Sequence, residues 1–194
     1  MLGSIKYNLS NLLNFKGRDA RQTFWFYVLF LFIIQYAAGL LISMPMMGGM
    51  MRGAFSAAQQ GASEAELQAR MMAQMAGYMR TSMTLSAVVS IIAAFFLLAA
   101  FMRRLHDSNR PGWIALVALA LSFASKALVW AKMDEIIGAM SRISEADPAG
   151  ILGFQSKFVG ASVMGWAAFL IVIVFGVWPS TPGPNRYGPA PVRF

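Results

Sequence analysis

Apolar residues along this chain gather into four long runs. No residue between Arg21 and Arg52 is charged, and Phe24 to Met44 alone supplies the roughly 20 apolar residues that a bilayer crossing needs. Pro45 and Gly48-Gly49 mark the exit from that run. Thr81 to Met102 is a second uncharged run, centred on Val88-Val89-Ser90-Ile91-Ile92-Ala93-Ala94-Phe95-Phe96-Leu97-Leu98. Phe158 to Trp178 is the last, closed by Pro179. Between these, Trp113 to Trp130 is apolar except for Lys126. Its two tryptophans read as interfacial anchors, and at 1.5 Å per residue they stand roughly 25 Å apart, just short of a hydrocarbon core. The pattern predicts an all-α polytopic membrane protein with four transmembrane helices, at about 24–44, 83–102, 112–131 and 158–178. Lys126 lies one turn before Trp130, so its stem reaches toward the headgroups. Snorkelling is the first expectation for it, and a charge facing an interior path the second.

The stretches between spans are patterned too. Leu2, Ile5, Leu9, Leu12 and Leu13 line one side of a short helix within residues 1–14, with Lys6, Asn8 and Asn11 opposite, as in a helix lying in the interface. Ser63-Glu64-Ala65-Glu66 fits a capping box, and Leu67, Met71, Met75 and Tyr78 then recur at helical spacing. One long helix should therefore run from about Glu64 into the second span, with the Met-rich insert 45–82 protruding on the outer side. Met133, Ile136, Ile137, Met140 and Ile143 continue a helical stripe beyond Trp130, and Asp147-Pro148 suits the start of a new helix. Helices three and four should thus meet in a tight hairpin outside the membrane. Pro179, Pro182, Pro184, Pro189 and Pro191 predict a non-helical tail over 179–194, extended along the cytoplasmic surface.

Composition identifies the solvent these runs require. Hydrophobic residues make up 58% of the 194-residue chain and charged residues 12%, about half the charge of an ordinary soluble domain. The length suits one membrane domain. No cysteine is present, which excludes disulfides, thiolate metal sites and cysteine nucleophiles. The first run is too long for the apolar core of a signal peptide and lacks a small-x-small cleavage site, so it is expected to stay in the membrane.

The net charge of +8 would suggest nucleic acid in a soluble protein; here cytoplasmic loops and anionic headgroups account for it, and no nucleic-acid partner is expected. With four crossings, one side carries Lys6, Lys16, Arg18, Arg21, Arg103, Arg104, Arg110, Arg186 and Arg193 against Asp19 and Asp107. The other carries Arg52, Arg70, Arg80, Lys132, Arg142 and Lys157, balanced by Glu64, Glu66, Asp134, Glu135, Glu145 and Asp147. The cation-rich side, with both termini, should be cytoplasmic.

That side also carries the distinctive motifs. Phe15-Lys16-Gly17-Arg18-Asp19-Ala20-Arg21-Gln22-Thr23-Phe24-Trp25 opens the first span. Arg103-Arg104-Leu105-His106-Asp107-Ser108-Asn109-Arg110-Pro111-Gly112-Trp113 joins spans two and three. Asn185-Arg186-Tyr187-Gly188-Pro189 follows the last span. Together, and in this order, they resemble the YhaH-like inner-membrane proteins of domain-of-unknown-function family 805, over nearly the whole chain apart from the Met-rich insert. The resemblance implies a bacterial inner-membrane protein and brings no established activity with it.

Arg18, Arg21, Arg103, Arg104, His106, Asp107, Arg110, Asn185, Arg186 and Tyr187 should converge at one membrane interface. Three readings of the cluster stand side by side. The motifs interlock structurally; or their guanidinium forks, with few carboxylates to neutralise them, hold a phospholipid headgroup or other anion; or His106 and Asp107 do acid–base chemistry. The last is weakest, because adjacent helix residues point apart and no serine nucleophile is specified.

Met44, Met46, Met47, Met50 and Met51, with Met71, Met72, Met75, Met79 and Met83, suit adaptable packing better than a soft-metal site. No catalytic residue, cofactor or metal is expected. The expected function is a non-enzymatic module that binds anionic lipid headgroups or a partner protein, with an oligomeric channel or transporter subunit as the alternative and a lipid-modifying enzyme behind both.

Overall fold

A computed structural model describes residues 1–140 and 148–191. Its elements are α1 (Leu2–Ser10), α2 (Arg21–Gln59), α3 (Glu64–Asp107), α4 (Trp113–Ala131), α5 (Met133–Met140) and α6 (Pro148–Val177). Among the described residues there is no strand, only an isolated bridge between Asn185 and Gly188. Four helices are long and apolar enough to cross a membrane: α2, α3, α4 and the Phe158–Val177 part of α6. No more than 17% of the apolar window of any of them is buried in the protein. Large side chains such as Phe32, Ile33, Leu41, Phe95, Trp166 and Phe169 are exposed instead. Apolar surface on that scale is stable only in an apolar solvent.

The spans form a bundle in which α2 packs along α3, α3 against α4 and α4 along α6, while α1 rests on α2 and α5 on α6. Its tight core lies at one end, where Phe24, Tyr27, Phe101, Leu105, Ala115 and Ala118 cluster. Phe24 and Phe101 have ring centroids 5.9 Å apart. Trp25 donates from Nε1 to the Gly176 carbonyl at 3.2 Å, joining α2 to α6 at the same level.

The capping box forms: Ser63 Oγ accepts from the Glu66 amide, Glu66 answers at the Ser63 amide, and α3 runs unbroken for 44 residues. The exit expected at Pro45 does not end a helix, for α2 continues through it to Gln59. Proline in a helix interior costs about 3 kcal/mol or more, and packing against α3 offsets it. Gly49, Gly53 and Ala57 recur every fourth residue on the side facing α3. A Cβ at position 49 would stand 3.0 Å from Tyr78 Oη, and one at 53 would stand 2.8 Å from Gln74 Oε1; Ala57 is buried. The small residues at this spacing leave room for the Tyr78 and Gln74 side chains of α3.

Two further expectations need correction. The stripe beyond Trp130 is not a continuation of α4, which ends at Ala131; α5 is a separate helix that buries Met133 and Ile136. Ile143, Asp147 and the expected hairpin between helices three and four lie outside the described residues. The tail is non-helical, but it folds back on the bundle rather than running extended: left-handed Gly183 and Gly188 turn the chain, and the Thr181 amide donates to the Asp107 carbonyl at 2.9 Å.

Candidate functional site

The RRLHDSNRPGW segment is a helix stop whose every turn residue has a task. The Arg110 amide donates to the Leu105 carbonyl and the Asn109 amide to that of His106, with Asn109 at φ +54°. This is the paired 6→1 and 5→2 arrangement of a Schellman turn, in which asparagine tolerates the left-handed conformation. Ser108 Oγ donates back to the Leu105 carbonyl at 3.0 Å. Gly112 must be glycine, because a Cβ there would lie 2.9 Å from His106 Nε2. The stop leaves Arg103, Arg104 and Asp107 on the last turn of α3, all fully buried.

Each buried arginine is held by acceptors from a different part of the chain. Arg103 Nε donates to Asp19 Oδ1 at 3.0 Å, Nη1 to the carbonyls of Asn11 and Asn14, and Nη2 to Asn8 Oδ1 at 2.6 Å. It thereby gathers α1 and the segment leading to α2. Arg104 Nε donates to the Gly176 carbonyl at 3.0 Å, Nη1 to Asp107 Oδ2, and Nη2 to the Trp178 carbonyl, which ties down the end of α6. Arg18 donates to Asp107 Oδ1 through both Nε and Nη2, at 3.1 and 2.9 Å, and to the carbonyls of Gly183 and Thr181 at 2.6 and 2.7 Å. Asp107 is thus the hub between two guanidiniums. Left-handed Gly17, at φ +90°, turns the chain so that Arg18 and Asp19 both enter this layer.

The Asn185–Tyr187 motif closes the outer side. Asn185 Nδ2 donates to the His106 carbonyl at 2.9 Å and its Oδ1 accepts from the Tyr187 amide. The Tyr187 ring stacks on His106 with centroids 3.9 Å apart and planes 8° from parallel. His106 Nδ1 lies 3.3 Å from the Gly17 carbonyl, which makes Nδ1 the protonated nitrogen. Arg186 covers the Tyr187 ring and donates to the Asn109 carbonyl, while Arg110 covers Trp178.

The three motifs therefore converge, and all ten candidate residues lie in or on this layer. They divide into two groups. Arg18, Arg103, Arg104 and Asp107 are buried and held by internal partners, whereas Arg21, Arg110 and Arg186 are exposed. A cavity of about 640 Å³ lies beside Arg18 and Arg21, walled by Gln22, Ser180, Thr181 and Ala190.

Asn8 and Asp19 belong to the layer as well. Asn8 sits on the polar side of α1, and that side faces the protein: Ser4 and Asn8 are buried while Leu2, Leu9 and Leu13 are exposed. Asp19, the second acid at this end, belongs to the motif that opens the first span and is the counterion of Arg103. Burial pushes its carboxyl above the usual range, against the charge and hydrogen bond of Arg103 and the hydrogen bond of Tyr7. Burial also raises the Tyr7 hydroxyl; the Tyr7 ring lies under the Arg103 guanidinium at 5.4 Å.

Elsewhere, on α4, Leu116, Phe123 and Trp130 are exposed and Ser125 is buried, while Lys126, one turn from both Phe123 and Trp130, is half-buried at the edge of the exposed stripe. Lys126 lines two clefts between the spans, of about 330 and 280 Å³, together with Phe123 in the first and Trp130 in the second. The two methionine groups meet across the α2–α3 hairpin, where Met50, Met71, Met72 and Met75 line one groove.

Fold and site define a class: a multi-pass helical membrane protein whose spans are locked together at one end by a buried arginine–aspartate layer. Within that class, the chain belongs to the family described as protein of unknown function DUF805, which matches residues 12–189 and so takes in all three motifs. No curated protein and no solved structure matches it.

Proposed function

We propose that this protein is a non-enzymatic membrane module whose motif-bearing end faces the cytoplasm of a bacterial inner membrane and binds anionic phospholipid headgroups. One observation carries the reading. Both acids of that end, Asp19 and Asp107, are buried in ion pairs, so among the described residues its exposed charges are all cations: Lys6, Lys16, Arg21, Arg110 and Arg186. Exposed Trp113 and Trp178 lie at the same level, as aromatic side chains do at a headgroup boundary. The binding groups are thus the rim cations, while the buried arginines hold the rim in place. A non-catalytic role is supported by the partners of His106 and Asp107. The imidazole stacks on Tyr187 and faces the Gly17 carbonyl, and the carboxylate is committed to Arg18 and Arg104.

The test is retention of phosphatidylglycerol against phosphatidylcholine by the purified protein, read by native mass spectrometry. At about 1 kcal/mol per cation near an anionic surface, the triple change Lys16→Gln, Arg21→Gln and Arg186→Gln should reduce the preference for phosphatidylglycerol by more than about tenfold, with the fold intact. An unchanged preference would remove the lipid reading.

A further inference from the structure

Lys126 is a half-buried cation of α4 that lines two clefts between the spans and has no acidic partner among the described residues. No Asp or Glu occurs in α2, α4 or α6, those of α3 stand at its two ends, Glu64, Glu66 and Asp107, and α5 carries Asp134, which pairs with Arg80, and Glu135. No ion pair joins Lys126 to a carboxylate among the described residues. An ionisable side chain within a membrane span pairs with another group or marks a ligand or ion path.

The cavity beside Lys126 has the shape and polarity of one kind of ligand. All four spans contribute to its walls, and its volume is about 330 Å³, at the small end of ligand pockets. That is room for one alkyl chain, not for two with their glycerol. Its polar residues, Gln35, Ser90, Ser122 and Lys126, lie mostly far from the motif-bearing end: counting 1.5 Å per residue along the helices, Lys126 is roughly 20 Å from Trp113 and Gln35 roughly 21 Å from Arg21. The end near the motifs is apolar and closed by Trp25, Leu97 and Val172, where Trp25 meets Gly176. Phe32 of α2 and Phe169 of α6 line the cavity and are also 63% and 53% exposed, which places a lateral mouth toward lipid between these helices. A second cavity, sharing Ser90 and Lys126, continues toward Trp130 and Met133.

We propose that this cavity binds a single-chain anionic amphiphile, its carboxylate or phosphate head on Lys126, Ser90 and Ser122 and its tail directed toward Trp25. The site is separate from the headgroup rim and stands whether or not that reading holds.

The test uses the full chain in neutral phosphatidylcholine nanodiscs, titrated with 12-bromododecanoate while tryptophan emission is read. The tail bromine should quench Trp25 saturably. Removing a charge-assisted contact in Lys126→Gln should weaken binding about tenfold or more, while Lys126→Arg should hold it within about threefold. Ala94→Phe, which fills the apolar part and leaves the cation untouched, should abolish saturable quenching. Dodecyl phosphate should compete, as the same head chemistry on the same tail, and 12-bromododecanol should bind the wild type no better than Lys126→Gln. Equal affinity of wild type and Lys126→Gln, or equal binding of alcohol and acid, would overturn the proposal. So would loss of quenching on adding phosphatidylglycerol to the discs, since the site would then belong to bulk lipid.

Discussion

Asp107 is the residue on which most of the buried layer depends. It accepts from Arg18 and Arg104 at once, and both guanidiniums are out of contact with water. Breaking a buried pair from one side leaves a charge without a counterion, which costs about 3–5 kcal/mol. Asp107→Asn should therefore lower the thermal unfolding midpoint in detergent by on the order of 10 °C, while Lys16→Gln, a change on the exposed rim, should leave it nearly unmoved. Equal midpoints for the two variants would show that the layer does not hold the spans together. The arginines themselves were legible as a cluster from their motifs. Their saturation was not, because most of the acceptors are main-chain carbonyls, of Asn11, Asn14, Gly176, Trp178, Thr181 and Gly183. Every residue carries such a carbonyl, so no sequence pattern marks the ones that will be used.

At the scale of elements, the α2–α3 hairpin shows how tertiary packing decides where a helix ends. Pro45 and Gly48-Gly49 are local signals against helix, yet α2 persists for 39 residues, because α3 supplies a surface against which its small residues pack. Position within the hairpin should then decide the size of a substitution's effect. Gly48 faces open space, so Gly48→Leu should add up to about 1 kcal/mol of stability through helix propensity. Gly53→Leu gains the same propensity but must displace the end of the Gln74 side chain, so its net gain should be smaller than that of Gly48→Leu. Denaturant titration of both variants in the same detergent separates them. A Gly53→Leu protein as stable as Gly48→Leu would mean that Gln74 gives way without cost.

At the scale of the whole molecule, four spans place both ends of the chain at the same face, and the charge asymmetry predicts which face that is. The absence of cysteine makes the orientation directly measurable. In spheroplasts, a membrane-impermeant maleimide should label Gly61→Cys from outside and Lys16→Cys only after permeabilisation. The reverse pattern would invert the proposed orientation, and labelling of both from outside would contradict it together with the number of crossings.

The sequence by itself determined the number and place of the spans, the capped start of α3 and the convergence of the three motifs. Hydropathy and capping are local properties, and an even number of crossings brings the three motif segments to one end. Only the tertiary structure decided which arginines are enclosed and which remain exposed, that the tail folds back, and that Lys126 lies half-buried beside a cleft walled by all four spans. Those outcomes depend on the angle at which one helix meets another. That angle is set by side chains far apart in the chain, and no window of sequence contains it.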